Sequence, residues 1–257
     1  MCAMRLKILG CSGGIGGKLH TTTMLLDHDI LIDAGTGVGE LSLPELSRID
    51  HVFLTHSHLD HIAFLPFMLD SVAGMRDRSL TVYALEETLE VLQQHIFNWK
   101  VWPDFRTISN RQQPCLRYEA IALGQKVMLG ERCVTALPAN HVVPAVAYQL
   151  DSGNASLIFS GDTTAQHDFW HVVNSIDNLR YLIIETAFPN AEKELAVLSK
   201  HLCPSLLAEE LKKLKLNPEI YISHLKPDES DLTMQEIEQC IPANSPQMLQ
   251  HGQVFEF

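Results

Sequence analysis

Short apolar runs, bounded by polar residues and glycine, follow one another closely at the start of the chain. Three of them, RLKILG, TTTMLLD and DILIDAG, leave no room for helices between them. Apolar runs of about four to eight residues between turn residues are typical of strands. The opening segment is therefore predicted to be a β-meander.

Further along, strand-like runs alternate with segments of helical periodicity. The first half predicts strands over HVFLTH and LTVYAL, with helices over residues 59–75 and 86–97. The second half predicts strands over RCVTAL, AVAYQL, ASLIFSGD, RYLIIE and EIYISH, with helices over residues 168–173 and 204–214. One more helix and one more strand are expected to close the chain. This alternation indicates an α/β protein.

The pattern contains no low-complexity linker, charge run or short repeat, so one domain over residues 1–257 is predicted. The loosest stretch, residues 99–114, is rich in aromatic and polar residues. Such a stretch is either a substrate-facing insertion or an ordinary surface loop.

Composition and charge exclude several classes of protein. A net charge of −12 without Lys/Arg clusters argues against binding to duplex nucleic acid, whereas a small anionic substrate is compatible if a metal ion supplies positive charge. The chain lacks a signal-peptide pattern and an apolar stretch of about 20 residues, so a cytoplasmic protein without membrane contact is expected. The scattered cysteines are expected to be reduced thiols: Cys2, Cys11, Cys115, Cys133, Cys203 and Cys240.

The segment LTHSHLDHI places four potential metal ligands at the end of a predicted strand: His56, His58, Asp60 and His61. Ligand sites in α/β sheets commonly lie at the carboxyl ends of strands. Imidazole and carboxylate groups suit zinc, iron or manganese. The segment is therefore interpreted as half of a metal site.

Three further residues follow predicted strands in the same way. His141 comes after RCVTAL, Asp162 after ASLIFS and His224 after EIYI. Taken singly, each fits an ordinary loop or turn. Together with the first segment they make five histidines and two aspartates, which is an inventory for two metal ions.

This ordered set of motifs resembles the metallo-β-lactamase family over essentially the whole chain. The resemblance implies an αββα four-layer sandwich with a dinuclear metal centre at its edge. The ions are expected to be zinc, with iron or manganese as alternatives. The implied ligands are His56, His58 and His141 for one metal, Asp60, His61 and His224 for the other, and Asp162 as the bridge.

Within that family the sequence is most similar to class II cyclic-nucleotide phosphodiesterases, which resemble the tRNA 3′-end processing endonucleases. The matching segments are LGCSGG, DAGTG, HSHLDH, HIFNWKVWPDF, FSGDTT, IIETAFPNAEKELAVLSKHLCPSLLAEELKKL and YISHLKP. Glu185 and His201 match the family's second-half glutamate and histidine. The chain departs from the family at Phe64, where Gly or Ser is usual, and in SKHLCP, where the family reads G-H before L-T-P.

The resemblance implies hydrolysis of a phosphodiester, most simply of a 3′,5′-cyclic nucleotide such as cyclic AMP to the 5′-nucleotide. In this hypothesis a hydroxide held between two metals attacks phosphorus, and Asp60 orients it or accepts its proton. His201 is the candidate general acid, with Glu185 fixing its tautomer. The alternative interpretation is structural: His201 lies close to the N-cap of a helix that begins at Pro204.

Asn98, Trp99 and Trp102 are candidates for a wall against which a nucleobase stacks. Core packing or contact within a homodimer is the other interpretation. Three alternative functions stay open on the same centre: a lactonase or thioesterase, a tRNA 3′-processing-like endonuclease, and a non-catalytic di-iron sensor. The endonuclease is disfavoured because no extended Gly/Pro-rich arm is visible.

Overall fold

A computed structural model describes residues 3–110 and 112–257. In chain order its strands are β1 (Arg5–Gly10), β2 (Thr23–Leu26), β3 (Ile30–Ile32), β4 (His51–Phe53), β5 (Leu80–Ala84), β6 (Ser109–Asn110), β7 (Gln113–Pro114), β8 (Leu116–Ala120), β9 (Lys126–Leu129), β10 (Arg132–Pro138), β11 (Val146–Asp151), β12 (Ser156–Phe159), β13 (Leu179–Glu185), β14 (Glu219–Ser223), β15 (Gln247–Met248) and β16 (Val254–Glu256).

The α-helices are short. They are α1 (Leu43–Leu46), α2 (Leu59–Ile62), α3 (Leu65–Val72), α4 (Glu86–Val91), α5 (Asp168–Val173), α6 (Lys193–Ser199), α7 (Pro204–Leu211) and α8 (Ser230–Cys240). A π-helical turn, Leu92–Ile96, extends α4. Three 3₁₀ turns cover Thr36–Glu40, Ala73–Met75 and Asn190–Glu192.

Fourteen of the strands named above form two seven-stranded sheets of the same design, and β6 and β7 pair separately. The first has the order β16-β1-β2-β3-β4-β5-β8 and the second β15-β14-β13-β12-β11-β10-β9. In each sheet an antiparallel meander continues into parallel strands, through β3–β4–β5–β8 and through β12–β13–β14–β15. Parallel strands bring their carboxyl ends to one edge of a sheet, so the loops after them are placed together.

Apolar side chains fill three layers. Phe53, Tyr148 and Phe159 belong to the layer between the two sheets. Helices α3 and α4 cover the outer face of the first sheet, and α5, α7 and α8 cover that of the second. Because each helix buries one apolar stripe against a sheet, the result is a four-layer sandwich. The predicted αββα architecture is confirmed.

The prediction of one helix over residues 59–75 is wrong. The segment forms α2, α3 and a 3₁₀ turn, with a break at Phe64. The loop after β3 enters this break: the Ala34 amide donates to the His61 carbonyl at 2.6 Å, and the Phe64 amide donates to the Ala34 carbonyl at 2.9 Å. Pro66, at the start of α3, supplies no amide donor of its own.

Other differences are smaller. The strand predicted over HVFLTH ends at Phe53, and residues 99–114 contain the β6–β7 hairpin, with residue 111 outside the described residues. Strands β8 and β9 and helices α1 and α6 were not predicted. Five cysteines of the described residues are free thiols, and Cys2 lies outside them. Within the described ranges no helix is long and apolar enough to cross a bilayer.

Candidate metal centre

Four side chains from three different loops form the first cluster. His56 and His58 follow β4, His141 follows β10 and Asp162 follows β12. Their potential ligand atoms all lie within 4.8 Å of one another. His141 Nε2 is 3.1 Å from His58 Nδ1, and His56 Nε2 is 3.6 Å from Asp162 Oδ2. This spacing allows the four groups to ligate one ion.

The second cluster shares Asp162 with the first. Its other members are Asp60 and His61, in α2, and His224, directly after β14. Asp162 Oδ1 is 3.3 Å from His61 Nε2 and 3.2 Å from His224 Nδ1. Asp60 Oδ2 is 3.8 Å from Nε2 of each of these histidines. The structure thus brings all seven predicted ligands together, with the two Asp162 oxygens facing different clusters.

The donor atoms fit metal ions. Among the described residues, Nε2 of His56, Nε2 of His61 and Nδ1 of His224 are buried without a hydrogen-bond partner. Buried polar atoms are normally satisfied, so unpaired nitrogens that converge on carboxylates indicate a cation. Burial lowers the pKa of His141 to about 4 and that of His224 to about 3, which keeps both imidazoles in the neutral, ligating form.

His61 is held by a buried network. Its Nδ1 is 2.7 Å from Asp33 Oδ2, and Asp33 also accepts hydrogen bonds from the Thr55 amide at 2.7 Å and the Thr55 hydroxyl at 2.8 Å. Burial alone lowers the pKa of His61, but the charges of Asp162 and Asp33 raise it well above its ordinary value. The site therefore favours positive charge near the His61 ring.

Asp33 was not predicted as a site residue, although it lies in the matching segment DAGTG. It follows the buried strand β3 and has a φ of 58°, so it adopts the left-handed conformation that Asp and Asn tolerate. An aspartate directly after a fully apolar strand was the available indication. A carboxylate that fixes a ligating histidine also sets its tautomer.

Gly13, in the matching segment LGCSGG, lies against His224. A Cβ atom there would stand 2.4 Å from the His224 carbonyl oxygen and 2.9 Å from its ring. Only glycine permits this approach of the loop to the second cluster.

Glu185 and His201 form a pair beside both clusters. His201 Nδ1 is 2.7 Å from Glu185 Oε1, and the fully buried carboxylate also accepts the Thr163 and Leu202 amides. The His201 ring lies 4.9 Å from that of His141 and 5.1 Å from that of His224, between centroids. Burial alone lowers the pKa of His201, but the charge of Glu185 and the hydrogen bond to it raise the value.

The proposed nucleobase residues make local contacts. The Asn98 side-chain oxygen accepts the Lys100 and Val101 amides, and its amide group donates to the Gln94 carbonyl. Trp102 packs on the core outside the first sheet and lies 5.1 Å from Phe67 between ring centroids. Trp99 is exposed, with a φ of 63°. These contacts order the loop, and a role in binding a nucleobase stays a prediction.

Residues 28–234 match the family model described as Beta-lactamase superfamily domain. The chain is similar to a probable 3′,5′-cyclic-nucleotide phosphodiesterase of Yersinia pestis, with 28% identity over a match that covers 70% of this chain and 57% of that protein. It therefore spans less than two thirds of that relative.

Two solved structures share the fold. Unliganded yeast PDE1 has a TM-score of 0.81 at 20% identity over 99% of both chains. The metallo-β-lactamase fold protein YhfI from Bacillus subtilis has a TM-score of 0.78 at 19% identity over 99% of this chain and 100% of that one. At these identities the likeness establishes the metallo-β-lactamase fold.

Proposed function

We propose that this chain, which belongs to the Beta-lactamase superfamily, is a metal-dependent phosphodiesterase. The substrate proposed is a 3′,5′-cyclic nucleotide, opened to the 5′-nucleotide. The observation that carries the proposal is that two ligand clusters, which share Asp162, lie beside a buried Glu185–His201 pair. The His201 ring contacts one histidine of each cluster.

Two divalent ions, of zinc in the first instance and otherwise of iron or manganese, would be held by the two clusters. Bound ions of this kind lower the pKa of water and offset charge on phosphoryl oxygens. The name of the Yersinia relative supports the choice of a cyclic nucleotide.

The protein's own groups supply positioning and proton transfer. The Asp60 side chain keeps 29% exposure, so it faces solvent as well as the second cluster and orients the attacking water or accepts its proton. The water oxygen bonds to phosphorus while the bond from phosphorus to the 3′-oxygen breaks. Since His201 Nδ1 is engaged by Glu185, its Nε2 is the nitrogen that donates a proton to the leaving 3′-oxygen.

The test combines elemental analysis with hydrolysis of 3′,5′-cyclic AMP, on the wild type, on Asp162→Ala and on Asp168→Ala. Asp168 is a matched control because its side chain is 87% exposed on α5. The proposal predicts two metal ions per chain and turnover, both lost in Asp162→Ala and both kept in Asp168→Ala.

Two metal ions without turnover of cyclic AMP or bis(p-nitrophenyl) phosphate would contradict the proposal. Turnover of lactones or thioesters would then favour a carbonyl-directed hydrolase, and cleavage of precursor tRNA an endonuclease. A coloured, iron-loaded protein inert to all of these would favour a sensor.

A further inference from the structure

Lys200 ends helix α6 in the left-handed conformation, with a φ of 53° and a ψ of 50°. The Lys200 amide donates to the Val197 carbonyl, and the His201 amide donates to the Ala196 carbonyl at 2.8 Å. Helices commonly end in this way on glycine, which has no Cβ to clash. Lysine carries a Cβ, so Lys200 adopts a strained conformation that glycine would adopt freely.

Lys200 makes three contacts with the loop that carries His141. Its Nζ donates to Asn140 Oδ1 at 3.1 Å and to the His141 carbonyl at 3.0 Å. Its own carbonyl lies 3.1 Å from His141 Nδ1. The Lys200 carbonyl therefore contacts the His141 ring, and the Lys200 ammonium group holds the His141 backbone.

The contact with the carbonyl fixes the tautomer of His141. A carbonyl oxygen accepts and never donates, so His141 Nδ1 must carry the proton. The Nε2 lone pair is then free, and it faces His58 Nδ1 at 3.1 Å and Asp162 Oδ2 at 4.0 Å. Hydrogen bonds of this kind from a ligating histidine set ring orientation and basicity.

We propose that Lys200 is a positioning residue for His141: its left-handed backbone directs the carbonyl at Nδ1, and its ammonium group anchors the Asn140–His141 backbone. The strain at Lys200 is the cost of this arrangement. The inference deepens the proposed function and rests on it, because it concerns a residue that would hold a metal ion.

The experiment measures zinc affinity by competition with a chromophoric chelator, and the melting temperature of the metal-free protein. The variants are Lys200→Gly, Lys200→Met and Lys200→Arg. Lys193→Met is the matched control, because it removes a lysine from the exposed start of the same helix.

Lys200→Gly keeps the left-handed backbone and its carbonyl but loses the ammonium group, so it is expected to weaken binding of one zinc ion by about 10-fold. The same variant relieves backbone strain, so its metal-free melting temperature is expected to lie about 2–4 °C above that of Lys200→Met, which loses the same hydrogen bonds and keeps the strain. Lys200→Met is expected to lose the same affinity as Lys200→Gly, Lys200→Arg to recover part of the affinity, and Lys193→Met to match the wild type.

Wild-type zinc affinity in both Lys200→Gly and Lys200→Met would overturn the inference. So would a metal-free melting temperature of Lys200→Gly no higher than that of Lys200→Met, which would mean that the Lys200 backbone is not strained. If the wild type itself failed to bind two zinc ions, the proposed function would fail first. No arm depends on turnover, so an inert wild type that binds zinc leaves the test valid.

Discussion

His201 contacts two potential metal ligands while a buried carboxylate holds its Nδ1. Removing its imidazole takes away the proton donor to the leaving oxygen and leaves all seven ligand side chains in place. His201→Ala is expected to lower kcat by about 10²–10⁴-fold. Steady-state kinetics together with elemental analysis measure the two effects separately.

His171→Ala, on the surface helix α5, is the control for this variant and should leave kcat unchanged. Full turnover by metal-loaded His201→Ala would remove His201 from the chemistry and favour its reading as a neighbour of the helix start at Pro204.

Asp33 contacts the candidate ligand His61 and the neighbouring Thr55 hydroxyl. Asp33→Asn keeps the size of the side chain, and asparagine also tolerates the left-handed backbone conformation. The change replaces one carboxylate oxygen by an amide nitrogen and removes the negative charge. Metal affinity is expected to fall by about 10–100-fold, which zinc titration measures. Asp228→Asn is the control, because the exposed Asp228 has a similar positive φ; equal affinity in the two variants would contradict this role.

The sequence predicted the candidate metal ligands but not the residues that hold those ligands in position. The seven ligands could be predicted because each follows a strand or lies in one dense motif. Asp33 could not be assigned from its own chemistry, since a single aspartate after a strand more often makes a turn. Lys200 was less accessible still, because its role depends on a backbone conformation and on a loop 60 residues away.

At the scale of elements, the loop after β3 controls the position of α2. Gly35 lies so close to this helix that an added Cβ would stand 2.2 Å from the Asp60 carbonyl oxygen and 2.4 Å from Thr21 Oγ1. The Asp60 carbonyl belongs to the helix backbone, and Thr21 Oγ1 is held by hydrogen bonds with Thr36, so neither has much room to move. Gly35→Ala is expected to lower the free energy of unfolding by about 1–3 kcal/mol, as measured by urea denaturation.

Because the Asp60 backbone must shift in Gly35→Ala, metal affinity is expected to fall as well. Gly74→Ala is the matched control: a Cβ atom there meets nothing within 4 Å. If the two glycine variants unfolded at the same urea concentration, the close approach at Gly35 would have no energetic weight.

The helices and strands that the sequence did not predict have apolar positions that do not mark their buried face. Helix α6 exposes Leu195, Val197 and Leu198 and buries Ala196, so its apolar positions do not mark the core face. Strand β8 is an edge strand with few buried positions, and the alternation that identifies a strand is weak there. The break between α2 and α3 depends on backbone bonds from a distant loop, which no local pattern reports.

Arg132 links the two sheets. From β10 it donates to Asp29 Oδ2 at 2.8 Å and to Asp27 Oδ2 at 3.2 Å, beside the turn between β2 and β3. Arg132→Met is expected to lower the free energy of unfolding by about 1–2 kcal/mol at pH 7, since these carboxylates are only partly exposed. Arg48→Met, at an exposed position, is the control for loss of one charge.

The pH dependence of this deficit follows from Asp29. Burial alone raises its pKa, but the hydrogen bond and charge of Arg132 lower it below the ordinary value. A lowered carboxyl pKa contributes stability that is present above the unfolded-state value and is lost as pH falls through the folded-state value. The deficit of Arg132→Met should therefore be equal at pH 7 and pH 5; a deficit already lost at pH 5 would contradict this assignment.

The two ligand clusters lie across the boundary between the two halves of the sandwich. The first half carries His56, His58, Asp60 and His61, and loops of the second half carry His141, Asp162 and His224.

Ions bound across this boundary would stabilise the folded state by mass action, by about 2.7 kcal/mol at a free concentration 100 times the dissociation constant. Zinc is therefore expected to raise the melting temperature by roughly 5–10 °C, and a chelator to reverse the change. Asp162→Ala removes the shared ligand and should abolish most of the shift. An equal zinc-dependent rise in Asp162→Ala would mean that zinc binds elsewhere and that these seven side chains do not form the site.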